Sequence, residues 1–174
     1  MQALIFVLDA LITLIVVAFL LRVLMPLTRA DLRSPIGEAV YGVTEPLVRP
    51  LGKLFKPAGR LDVAGLVALL LVQLLGTTLV FLLSGARPTV AMIVVVAIRD
   101  LARTVLQFYF FAVLLYAVLS WVSPGARSPA YGLLGRLCEP LLRPLRRIVP
   151  PIGGLDLSAL FVLIGLQALQ ILLR

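Results

Sequence analysis

Four blocks of this chain, residues 3–25, 63–83, 104–122 and 157–173, are almost free of charge, and each is close to the about 20 helical residues that cross a hydrocarbon core about 30 Å thick. No other feature narrows the fold so far. A segment in lipid must satisfy its own backbone hydrogen bonds, so each block is predicted to be a helix and not an isolated strand. Only 14% of the residues are charged, against about 25% in soluble domains. The expected fold class is therefore an all-α membrane protein with four transmembrane helices. The first block carries Asp9 and ends near Arg22; the second is punctuated by Gln73, Gly76, Thr77 and Thr78. The first block has no Lys or Arg ahead of it, is long for the apolar core of a leader, and is followed by no small-residue cleavage pattern. It is expected to stay as a membrane helix. The run 89–98 is too short to span. It either lies flat at the interface or, with Pro88 in a first turn, extends the third helix.

The basic residues sit between the blocks. The first loop holds Arg29, Arg33, Arg49, Lys53, Lys56 and Arg60, and the third holds Arg127, Arg136, Arg143, Arg146 and Arg147. Only Arg87, Arg99, Arg103 and Arg174 fall on the other side, eleven against four. Cytoplasmic loops collect Lys and Arg, so the first and third loops are expected in the cytoplasm and both termini outside it. The formal net charge of +8 thus reads as attraction to anionic lipid headgroups, with no direct nucleic-acid contact expected. There is no histidine and the single cysteine is Cys138. That composition removes Cys/His metal sites, Ser-His-Asp triads and intrachain disulfides. No enzyme activity, cofactor or metal is expected.

The two basic loops match each other at a constant offset of 94 residues. Ser34-Pro35 meets Ser128-Pro129, Glu45-Pro46-Leu47 meets Glu139-Pro140-Leu141, and Arg49-Pro50-Leu51 meets Arg143-Pro144-Leu145. Pro57, Gly59, Leu61 and Asp62 meet Pro151, Gly153, Leu155 and Asp156, and Gln73 meets Gln167. Such self-similarity means two copies of one supersecondary unit. With two crossings per copy, the copies should be parallel repeats about an axis along the membrane normal. The expected organisation is repeat 1 over 1–83, an outer connector over 84–103, and repeat 2 over 104–174.

The pattern S-P…E-P-L-x-R-P-L…P-x-G-x-L-D, followed by an apolar helix containing Gln, resembles the YggT (YlmG-like) family of small integral membrane proteins. The second copy is the cleaner match, with Leu119-Ser120-Trp121 before it and Gly153-Gly154-Leu155-Asp156 after it. The first has Leu24-Met25-Pro26 and Gly59-Arg60 in those places. The resemblance implies residence in a bacterial cytoplasmic (inner) membrane. It also implies roles in osmotic or ion homeostasis, or in division-associated and complex-assembly processes, the last mainly in plastid relatives. It implies no known catalytic reaction.

Individual residues read as follows. Asp62 and Asp156 stand where helices begin and suit N-caps. Glu45 and Arg49, like Glu139 and Arg143, are four apart and could pair on an exposed helix face. Ile36, Ala39, Val40 and Val43 recur at helical spacing beside Arg49, Lys53 and Lys56, the pattern of an interfacial amphipathic helix. Pro46 and Pro50 are expected to break that helix. Arg22 is expected to snorkel to the cytoplasmic surface, and Asp9 to reach the outer interface. Gln73 and Gln167 are expected to bond between helices. Glu45, Arg49, Lys53, Glu139, Arg143, Arg146 and Arg147 would face lipid headgroups or a protein partner. The resulting functional expectation is a membrane scaffold or assembly factor working through its basic loops, with lipid headgroups, a membrane or cytoplasmic protein, or a second copy of the chain as partner. A small channel or transport accessory is the alternative, and it would need a polar stripe along a span.

Overall fold

A computed structural model of the chain describes residues 2–122, 128–147 and 157–173. Among them are six helices and no strand: α1 (Gln2–Leu27), α2 (Pro35–Gly52), α3 (Val63–Leu83), α4 (Val90–Val122), α5 (Pro129–Arg146) and α6 (Leu157–Leu172). Three of these, α1, α3 and α4, are long and apolar enough to cross a membrane; α6 is apolar but shorter. At 1.5 Å per residue, α6 spans about 24 Å, below the about 30 Å of a hydrocarbon core. The described structure thus contains three helices of spanning length and not four. Large apolar side chains such as Phe6 and Leu14 of α1, Leu75 of α3, Phe111 of α4 and Ile164 of α6 point outward, a surface that suits lipid and not water.

Residues 90–98 belong to α4, which continues without a break to Val122; Pro88 lies ahead of the helix and not in its first turn. The expected interruption of the loop helices is absent too. Pro46 and Pro50 lie inside α2, and Pro140 and Pro144 inside α5. Each proline withholds one N–H from the carbonyl four residues back, here Gly42, Pro46, Arg136 and Pro140. All four of these residues are exposed, so their carbonyls can be solvated and the helix continues.

The loop leading into α3 is built by its motif. Gly59 has φ +62, a left-handed conformation that costs glycine least. The resulting tight turn is closed by Ala58 N–H to Leu61 O at 3.1 Å and Leu61 N–H to Ala58 O at 3.0 Å. Asp62 then caps α3, its Oδ1 accepting from Gly65 N–H at 2.9 Å. Asp156, the matching residue of the second copy, lies outside the described residues.

The chain forms two compact units, one of Met1–Val23 with Ala39–Val105 and the other of Leu24–Glu38 with Leu106–Arg174. In the first unit, α3 comes so close to α1 that a Cβ on Gly76 would collide with the Ile12 side chain. Small residues permit such approach where lipid supplies no hydrophobic drive between helices. In the second unit, Ala112, Val113 and Ala117 of α4, Cys138 and Leu142 of α5, and Ala159, Val162 and Leu166 of α6 form one buried cluster.

Candidate functional site

In the first unit the polar chemistry converges on Arg22. One guanidinium in a run of apolar residues needs partners or water, and Arg22 has only 6% exposure. Instead of snorkelling, its Nε donates to Asp62 Oδ2 at 3.0 Å, and its Nη1 donates to Thr44 Oγ1 at 3.0 Å and Glu45 Oε2 at 2.9 Å. The Tyr41 ring lies 4.3 Å from the guanidinium carbon, within cation–π range. Burial raises the Tyr41 pKa, with Arg22 acting against it. One side chain thereby ties α1 to α2 and to the cap of α3. Asp62 is both cap and counter-ion, because its two carboxylate oxygens serve different donors.

The second unit holds a counterpart with the charges rearranged. Position 116, matching Arg22 at the 94-residue offset, is Tyr116, and position 138, matching Thr44, is Cys138. The cation now comes from α5. Arg146 Nη1 donates to Glu139 Oε2 at 3.3 Å, and its Nη2 to the Tyr116 hydroxyl at 3.4 Å. Tyr116 also stacks on Tyr131, with ring centroids 5.2 Å apart. Thus Glu45 and Glu139, identical in the repeat, each hold an arginine, supplied by the apolar helix in one copy and by the loop helix in the other. With no guanidinium to serve at position 138, a thiol replaces the hydroxyl. It is fully buried, and burial, opposed by Arg146, pushes its pKa up to about 12.

These contacts replace the expected pairs at four-residue spacing: Glu45 pairs with Arg22 and not Arg49, and Glu139 with Arg146 and not Arg143. Arg146 is therefore half-buried and engaged, unlike its neighbours. Arg49 and Lys53 are exposed, as are Arg136, Arg143 and Arg147. At 3.6 residues per turn, Arg136 and Arg143 share one face of α5, continued by Arg147 at its C-cap, while Leu137, Cys138 and Leu142 are buried on the other side. On α2 the buried side is Gly37, Val40, Thr44 and Val48, while Ala39 and Val43 are exposed.

Gln73 is buried and its Nε2 donates to Thr77 Oγ1 at 3.3 Å, within its own helix and not between helices. Gln167 is exposed on α6, beside Phe110, Leu163 and Ile171. Asp9 is exposed on α1. No three Cys, Asp or Glu side chains gather as a metal site among the described residues. Sequence reasoning missed Tyr41, Thr44 and Tyr116. A lone arginine inside an apolar block, with Asp62 predicted at a helix start nearby in the fold, was the available signal.

The fold and these nodes define a polytopic helical membrane protein in which short, basic, proline-containing helices are clamped to long apolar ones. The chain belongs to the CCB3/YggT family, whose family model matches residues 1–83 and again 90–174. Two matches in tandem agree with the internal repeat. The chain is 34% identical to an uncharacterized protein of Pseudomonas aeruginosa over 98% of this chain and 87% of that one. It is also 34% identical to the uncharacterized protein in the proC 3′ region of Vibrio alginolyticus, over 96% and 91%. Identity to the uncharacterized protein YggT of Escherichia coli K12 is 31%, over 98% and 88%. No solved structure matches the chain.

Proposed function

We propose that the protein is a non-enzymatic membrane scaffold or assembly factor of the bacterial inner membrane. Its working surface is the exposed basic side of α2 and α5, which engages anionic headgroups or a protein partner at the cytoplasmic face. The observation that carries this reading is the exposed row of Arg136 and Arg143 on α5 and Arg147 at its C-cap, on a helix whose other face is packed to zero exposure at Cys138. A loop serving only as a topological anchor needs cations in number, not in a row on a rigid helix. Each cation near an anionic surface contributes about 1 kcal/mol. The two copies act as parallel repeats with their loops on the same side, and both termini lie outside the cytoplasm.

The test leaves Arg146 alone, because it is engaged with Glu139 and Tyr116, and reverses Arg143 and Arg147 together. With insertion verified by reporter fusion, the R143E/R147E protein should keep its thermal stability and lose the stoichiometric partners captured by mild cross-linking. Unchanged partners in a correctly inserted variant would sink the scaffold reading. A channel would instead require a polar row open to a pathway, and Gln73 is buried with its Nε2 donating to Thr77 in the same helix. Ion flux through liposomes holding the purified chain alone would favour that alternative.

A further inference from the structure

Within the second unit, the turn after α1 and the first turns of α5 enclose a cleft of about 280 Å³, lined by Arg29, Asp31, Ser34, Gly132, Leu133 and Arg136. We infer that this cleft binds the phosphoethanolamine headgroup of a membrane phospholipid, Arg29 and Arg136 taking the phosphate and Asp31 the ammonium. The inference rests on the membrane-surface placement of the loop helices proposed above.

Charge is the first argument. Neither Arg29 nor Arg136 has an ion pair or side-chain hydrogen bond among the described residues, whereas Arg22 and Arg146 do. Two guanidinium forks on one cleft suit the tetrahedral oxygens of a phosphate. Asp31 would repel a purely anionic headgroup. Its Oδ1 accepts from Arg33 N–H at 2.9 Å, which leaves Oδ2 for a cation. Two positive groups and one negative group describe a zwitterion carrying phosphate and amine.

Backbone strain is the second. Arg29 has φ +56 and is the sole non-glycine residue with positive φ among those described. It sits where the end of α1 closes on itself, with Ala30 N–H to Met25 O at 2.9 Å and Arg29 N–H to Pro26 O at 3.4 Å. Glycine is the favoured residue at that position. An arginine held there against its preference, and lining a cleft, points to use of its side chain.

Room is the third. A Cβ on Gly132 would meet nothing within 4 Å. The buried Ser34 hydroxyl donates to Asp31 O at 2.8 Å and accepts from Gly37 N–H at 3.1 Å, so it forms floor and leaves the charged groups as ligands. The repeat supplies a contrast, since Arg29, Asp31 and Arg136 correspond to Ser123, Gly125 and Gly42. The cleft chemistry is thus particular to one site and is not part of the shared loop motif. The position of Arg29, two residues beyond the last residue of α1, puts the cleft at headgroup depth and favours a lipid over free phosphoethanolamine.

The purified full-length protein would be offered equal phosphatidylethanolamine, phosphatidylglycerol and phosphatidylcholine in detergent, and retained lipid read by native mass spectrometry. The ethanolamine lipid should be held preferentially. Arg136→Ala should weaken its retention about tenfold, as expected for one charge-assisted contact. Arg29→Gly should do the same while raising the melting temperature, a combination that a purely structural arginine would not produce. Gly132→Leu, a better helix former in open space, should fill the cleft and displace the lipid with the fold intact. Asp31→Asn should abolish the preference over phosphatidylglycerol and keep phosphate binding. R143E/R147E lies outside the cleft and should leave retention of the ethanolamine lipid unchanged, so loss of partners in that variant reports on the scaffold reading alone. Equal retention of the three lipids by the unaltered protein would overturn the inference. So would normal retention by both Arg29→Gly and Gly132→Leu, or complete displacement of the lipid by soluble phosphoethanolamine.

Discussion

At the scale of single residues, Arg22 is held at once by Asp62, Thr44, Glu45 and the Tyr41 ring. Removing one member of a buried charge cluster leaves the others desolvated without compensation, a loss of about 3–5 kcal/mol where all members are buried. Here the Glu45 side chain is 49% exposed and that of Asp62 20% exposed, so water can recover part of the loss. Arg22→Gln is expected to cost about 2–3 kcal/mol, read as a lower unfolding midpoint in detergent. Glu45→Gln should cost less than half as much. A double-mutant cycle should return a coupling of about 0.5–3 kcal/mol, and additivity within error would contradict the geometry described.

The helices themselves pose two tests. The prolines of α2 and α5 withhold donors only from carbonyls on the exposed side, so restoring an N–H should help the helix and disturb no packing. Pro46→Ala and Pro140→Ala are each expected to raise stability by about 1 kcal/mol or more, given the about 3 kcal/mol penalty of interior proline. A fall in the unfolding midpoint would show that a bend at proline is required for packing. Between α1 and α3 the contact at Gly76 leaves no space. Gly76→Ala should lose about 1–3 kcal/mol through overpacking, and Ile12→Ala in the same chain should recover much of it. Failure of that rescue would mean the two helices do not meet as described.

For the whole molecule, topology is the open consequence of helix length. The basic loops are expected to orient α1 with its amino end outside, an expectation that rests on charge alone. A reporter fused after Arg174 is expected to be active outside the cytoplasm, which requires the 16-residue α6 to cross. A short apolar helix can do so where the bilayer thins or flanking residues snorkel. Cytoplasmic activity of that fusion would leave α6 as a re-entrant or interfacial element and would confine the crossings to α1, α3 and α4.

Membrane class, helical class, the tandem repeat and the family were all legible in the sequence, because each depends on local composition or on self-similarity at fixed spacing. So was the Asp62 cap at the end of the P-x-G-x-L-D motif, which is set by neighbours in the chain. Tertiary structure alone decided which charges find each other. Glu45 and Glu139 are the same residue in the same motif, yet one takes Arg22 from a helix 23 positions away and the other takes Arg146 from its own helix seven positions away. Spacing favoured Arg49 and Arg143 as their partners, but both of those face outward. A guanidinium kept from water gains more from a carboxylate than one already solvated does, so the buried Arg22 and the half-buried Arg146, and not the arginines four residues on, capture the glutamates.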